Sequence, residues 1–170
     1  MTTVGGTSLR QHHDNVQLQA ADSQEGCSFT SGGGFSTHFK RPQYQQAAVQ
    51  HYLATTNSTV PDTFYDRNGR GYPDLAILST NFLTFEKPRG LQSFGSTSAS
   101  ATALSAVVAL LNQQQLANHK PTLGFLNPLL YGMHSSGFVD IIRGNNACSR
   151  TIGRLDKQYM SANDDVHISR

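Results

Sequence analysis

The chain of 170 residues has no tryptophan, only two cysteines, and no apolar run of about eighteen residues. Without such a run there is no membrane-spanning helix, which needs about 20 apolar residues. Nor does a charged start lead into an apolar core, so no secretion signal is legible, and an exported protein would carry its address elsewhere. Charge of one sign is scarce as well: thirteen basic and eleven acidic residues leave a net +2 with no basic run. That balance predicts neither a nucleic-acid footprint nor attraction to an anionic membrane. Cys27 and Cys148 could form one bridge or stay free, and two thiols identify no redox compartment. The length fits one domain with enough apolar content for a core. Asn57-Ser58-Thr59 has the pattern of a glycosylation acceptor, which operates only after secretion.

What the sequence does hold is a run of small residues, Gly95-Ser96-Thr97-Ser98-Ala99-Ser100, leading into its most apolar stretch, Ala101 to Leu111. Backbone amides at a helix start have no intrahelical partners, and the helix dipole adds partial positive charge there. A serine at such a point can act as a nucleophile with an oxyanion stabilised beside it, and small neighbours leave room for a peptide. Serine and threonine are also ordinary N-cap residues, so on these six positions alone capping is the commoner explanation, and only context can reverse it.

Along the rest of the chain, Thr2 to Thr7 reads as a β-favouring stretch ending in glycines. Residues 8 to 30 are polar without periodicity and read as loop; His12 and His13 within them lack ligand-like spacing. Ser31-Gly32-Gly33-Gly34-Phe35-Ser36 permits close backbone approach, as a flexible turn or as the rim of an extended peptide site. It lacks the lysine and hydroxyl of a phosphate loop. Arg41-Pro42 opens a helix running to Leu53, with Tyr44, Ala47, Ala48 and Tyr52 on one face. Gly69 to Asp74 is a turn cluster followed by a short buried strand, Leu75 to Leu78. A second strand is expected over Asn81 to Phe85, then the serine element and a helix ending near Gln115. That helix is apolar all round, which places it inside a protein. Pro121 to Tyr131 gives a loop and a short helix, and Phe138 to Ile142 a strand-like piece carrying Asp140.

Five ordered segments resemble one family. They are Thr3-Val4-Gly5-Gly6-Thr7; Ser31-Gly32-Gly33-Gly34-Phe35-Ser36 with Arg41-Pro42-x-Tyr44-Gln45; Gly69-Arg70-Gly71-Tyr72-Pro73-Asp74; Ser96-Thr97-Ser98-Ala99-Ser100; and Leu123-Gly124-Phe125-Leu126-Asn127-Pro128-x-Leu130-Tyr131. In this order they resemble the sedolisins, or serine-carboxyl peptidases, most closely the tripeptidyl-peptidase branch. The likeness implies a partial peptidase domain over residues 1–148 and a divergent tail over 149–170.

The implied fold is α/β, the C-terminal half of a subtilisin-like, mainly parallel sheet flanked by helices. The implied nucleophile is Ser98, the substrate rim Ser31, Gly32, Gly33 and Gly34, and the calcium donors Asp140 and the Ile141 carbonyl. In the family a glutamate base, its aspartate partner and an oxyanion aspartate lie before the Val-Gly-Gly-Thr element. The chain is therefore expected to be truncated at both ends and inactive by itself. A carboxylate base suits proteolysis in acid, where histidine is already protonated. The implied substrates are peptides or proteins, with tripeptide release in the closest branch, and the implied compartment is lysosomal or extracellular. Three departures stand out: Ser96 replaces the family glycine before Thr97, the proline after Ser100 is missing, and the later calcium ligands are absent. They motivate an alternative, a degenerate non-catalytic relative retaining a peptide-binding surface.

Overall fold

Val4 and Thr7 are β-branched, and the two glycines between them let other backbone lie close on both sides. This segment becomes the middle strand of the principal sheet. The computed structural model describes residues 1–12, 15–21, 29–55, 63, 65–133 and 136–144. Cys27, Cys148, the Asn57 triplet and the tail from residue 149 lie outside the described residues. In chain order the strands and helices are β1 (Val4–His12), β2 (Asn15–Ala20), β3 (Gly34–Lys40), α1 (Gln46–Thr55) and β4 (Gly69–Tyr72). They continue as β5 (Leu75–Leu78), β6 (Phe82–Glu86), β7 (Gly90–Phe94), α2 (Thr97–Ala117) and α3 (Asn127–Gly132). A 3-10 turn at Gln43–Gln45 leads into α1 behind Pro42.

The principal sheet has the order β2-β1-β5. β1 pairs in parallel with β5, from Val4↔Leu75 to Thr7↔Leu78, and antiparallel with β2, from Thr7↔Ala20 to His12↔Asn15. Two further two-stranded sheets, β3-β4 and β6-β7, are antiparallel. The architecture is thus mixed α/β with small sheets. Among the described strands only β1–β5 is a parallel pair, so a mainly parallel sheet is not what these residues form.

Three expectations need correction. Residues 8–12 and 15–20 are not loop but the β1–β2 hairpin, with Leu9 opposite Leu18 and buried Ser8 opposite buried Gln19. Its buried positions are polar, so no apolar alternation announced it. Phe138 to Ile142 forms no strand; it runs irregularly beside β2, where the Ala20 amide donates to the Arg143 carbonyl. The long helix, α2, rests on β1 and β5 but is not enclosed: Ser100 is its one fully buried residue, while Val107, Leu110, Leu111 and Leu116 are about half exposed or more.

The interior is unusually polar. Among the described residues four apolar ones are buried, Ala21, Val49, Tyr131 and Ile141, against ten polar or charged ones. Hydrogen bonding, which is directional, therefore fixes the inner geometry more than apolar contact does. Val49→Ala, on the buried face of α1, is expected to lower unfolding free energy by about 1.5–3 kcal/mol. Leu110→Gln on the exposed body of α2 should change it by no more than about 0.5 kcal/mol. Urea unfolding of both variants checks this, and a large loss at Leu110 would show that α2 is covered.

Candidate active site

The site begins where β5 ends and its parallel pairing with β1 stops, at Thr7 and Leu78. Ser79, the residue after β5, donates both its N–H (2.9 Å) and its hydroxyl (2.8 Å) to the Thr7 carbonyl. Its own carbonyl accepts from the Ser96 amide at 2.9 Å, which ties the start of α2 to the strand ends. Space is tight here. A Cβ at Gly6 would sit 2.5 Å from Ser79 Oγ, and one at Gly95 would sit 3.0 Å from the Phe29 ring and 3.1 Å from the Ser79 carbonyl. Glycine at both positions is what lets strand, turn and helix meet.

Ser96 is the N-cap, with extended φ −171° and ψ 151°, and its hydroxyl accepts from the Ser98 amide at 3.1 Å. Ser98 occupies the second helical position and is exposed. Ser100, two residues on, is fully buried and donates its hydroxyl toward the Ile77 and Leu78 carbonyls, each at 3.3 Å. The first turn of α2 therefore holds one serine against β5 and presents another outward. Among the described residues no carboxylate or imidazole bonds the Ser98 hydroxyl.

Ser31 joins the same junction. Its hydroxyl accepts from the Gly6 amide at 3.0 Å, and its N–H donates to the Ala21 carbonyl at 2.8 Å. Gly32 and Gly33 run from it along the surface, and Gly34, with φ +140°, opens β3. Ser31 and Ser98 are thus linked through Gly6 and Ser79, while the glycines form an open flank.

Asp140 and Ile141 lie elsewhere. Asp140 is exposed; Ile141 is buried and lines an apolar cleft of about 320 Å³ together with Leu18, Ile77, Leu130 and Phe138. Ser98 is not among the residues lining that cleft. Calcium takes six to eight oxygen ligands. One carboxylate and one carbonyl fall short of that, and no group of three His, Cys, Asp or Glu side chains gathers among the described residues.

Sequence reasoning missed the polar hub at the opposite end of β5. Asp74 is 3% exposed, and one of its carboxylate oxygens accepts from the Thr3 amide (2.7 Å), the Thr3 hydroxyl (2.9 Å) and Arg70 (2.7 Å). The other accepts from Gln45 Nε2 (3.0 Å) and the Tyr131 hydroxyl (3.3 Å). Gln45 also bridges to Gly71, accepting from its amide and donating to its carbonyl, each at 3.0 Å. Beside the hub, Asn127 Oδ1 accepts from the Thr2 hydroxyl at 2.6 Å. Burial acts to lower the Arg70 pKa, but hydrogen bonding to Tyr72, the charge of Asp74 and hydrogen bonding to Tyr44 outweigh it. The guanidinium is held above its ordinary value and stays a cation. The available signal was that Thr3, Gln45, Arg70, Asp74 and Tyr131 all fall in the ordered motifs.

No family model matches the chain. Tripeptidyl-peptidase 1 of Mus musculus is 37% identical to it over 144 residues, which is 85% of this chain and 24% of that protein. The Homo sapiens protein of the same name is 35% identical over 144 residues with the same coverage. Tripeptidyl-peptidase SED4 of Arthroderma otae is 41% identical over 153 residues, 89% of this chain and 23% of the relative. The chain belongs to the sedolisin family. It spans about a quarter of the length of the relatives it matches. Within this sedolisin-family chain, motifs dispersed along the sequence serve two places, the hub at Asp74 and the junction at Ser98.

Asp74→Ala removes the acceptor of the Thr3 amide and hydroxyl and the ion-pair partner of the half-buried Arg70, and is expected to cost about 3–5 kcal/mol of stability. Asp74→Asn keeps one oxygen and the shape, and should cost clearly less. Chemical denaturation of the two variants measures the difference; equal, small losses would remove the hub from its structural role.

Proposed function

We propose that the chain is a portion of a sedolisin-type serine peptidase, with Ser98 as its nucleophile. Residues 1–148 would belong to the peptidase domain, and residues 149–170 to a tail outside its pattern. The β1–β5 pair and α2 would form a piece of a subtilisin-like arrangement. The observation that carries the reading is an exposed serine in the first turn of a long helix whose start is bonded to the carboxyl end of β5, where its parallel pairing with β1 stops. Open crevices at that end of parallel strands are where α/β proteins bind ligands.

In this mechanism Ser98 Oγ attacks the carbonyl carbon of a peptide bond. A new C–O bond forms as the carbonyl π pair moves onto its oxygen, and the hydroxyl proton passes to a carboxylate base supplied from outside the described residues. As the adduct collapses, the carboxylic acid so formed returns the proton to the leaving nitrogen, the C–N bond breaks, the amine departs and an acyl-enzyme remains for water to hydrolyse. The partial positive charge at the start of α2 favours the oxyanion. Ser31 would hold the open glycine flank, Gly32 to Gly34, where the substrate backbone lies. The substrates are peptides or proteins, and tripeptide release, named in the relatives, is the finer form of the proposal. A carboxylate base suits an acidic compartment, lysosomal or extracellular. No helix among the described residues is long and apolar enough to cross a membrane. Asp140 and the Ile141 carbonyl would supply two donors of a calcium site completed by groups beyond those described.

Without the base, the chain should react more slowly than a complete serine peptidase by roughly 10⁴-fold or more. Ser96, standing where the family resemblance implies glycine, favours a second reading, a non-catalytic relative that keeps the peptide surface. A fluorophosphonate probe at acidic pH separates the two. Slow labelling that Ser98→Ala abolishes is expected, labelling that survives Ser98→Ala would overturn the assignment, and no labelling at all would favour the second reading.

A further inference from the structure

Three successive amides at the start of α2 donate to a single residue. Ser98 N–H reaches the Ser96 hydroxyl at 3.1 Å, and the Ala99 and Ser100 amides reach the Ser96 carbonyl at 3.1 and 3.4 Å. The two bonds to the carbonyl belong to any N-cap; the bond to the hydroxyl depends on the side chain. Ser96 is held in this pose because its own amide is bonded to the Ser79 carbonyl at 2.9 Å.

We infer that Ser96 competes with the reaction for the Ser98 amide, and so is a positioning residue that restrains Ser98. This rests on the reading of Ser98 as nucleophile. When Ser98 Oγ bonds to an acyl carbon or a phosphorus, negative charge develops on an oxygen attached to that centre. A nucleophile's own backbone N–H is a standard donor to such an oxygen. Here that N–H already has an acceptor, and the Ser96 hydroxyl must release it before the oxyanion can use it. Glycine at position 96 has no side chain to compete. It is also an accepted N-cap, so the helix start tolerates the change.

The test uses the full chain as wild type, Ser96→Gly, Ser96→Thr and Ser98→Ala, with two readouts. The first is the rate of labelling by a fluorophosphonate, in which the Oγ–P bond forms, fluoride leaves and the serine proton passes to solvent. The second is hydrogen exchange at the Ser98 amide, followed by NMR. Ser96→Gly is expected to label roughly threefold to tenfold faster than wild type and to exchange the Ser98 amide faster. Ser96→Thr keeps a hydroxyl and should behave as wild type in both, a rescue that a general loosening of the helix would not give. Unchanged exchange in Ser96→Gly overturns the inference whatever the labelling. Faster exchange without faster labelling also overturns it, because the amide is then not limiting. If exchange responds but no variant labels, the nucleophile reading fails and takes the inference with it.

Discussion

A buried carboxylate with five hydrogen bonds constrains the rest of this structure. Taking the charge of Asp74 out of water is costly, and the cost is offset only if a cation and well-placed donors surround it. Those donors come from Thr3, Gln45, Arg70 and Tyr131, which belong to separate stretches of chain. The hub also starts the parallel pair: the Asp74 amide donates to the Thr3 carbonyl, immediately before Val4 faces Leu75. Register set there carries along four paired positions, a rise of roughly 13 Å at about 3.3 Å per residue. At its far end stand Ser79, Ser96 and the first turn of α2. A polar knot at one end of two strands thus sets where the candidate nucleophile sits at the other.

Much of the site was legible from local chemistry. Six small residues before an apolar run specify a tight helix start, and the structure has one, with Ser96 as cap and Ser98 facing out. The strand Leu75–Leu78 was readable because it is short, apolar and bounded by turn residues. The β1–β2 hairpin was not, because its buried side chains include Ser8 and Gln19 and its stability lies in backbone pairing. Period-2 arguments detect a difference between faces, and this hairpin has little. The hub escaped for a related reason: its members are spread along the chain from Thr3 to Tyr131, and each alone is an ordinary polar residue. Their function as a set exists only after folding.

The exposed body of α2 follows from the same division. An apolar-all-round helix calls for cover on every side, and here it meets β1 and β5 on one side while Leu110 and Leu116 face solvent. Apolar surface of this kind favours association with other apolar surface, in this chain or another.

Exposure along the helix body does not, however, undo the geometry at its start. The first turn is held by directional bonds to strand backbone: Ser96 N–H to Ser79, and Ser100 Oγ to Ile77 and Leu78. None of these involves the exposed leucines, and all of them end on the pair whose register Asp74 sets. Apolar contacts fix an element's burial but only loosely its rotation; hydrogen bonds to a strand edge fix both. The orientation of Ser98 therefore depends on the sheet more than on whatever covers the helix. On the proposed reading its reactivity would depend on something finer still, the single side chain at position 96, whose hydroxyl accepts from the Ser98 amide.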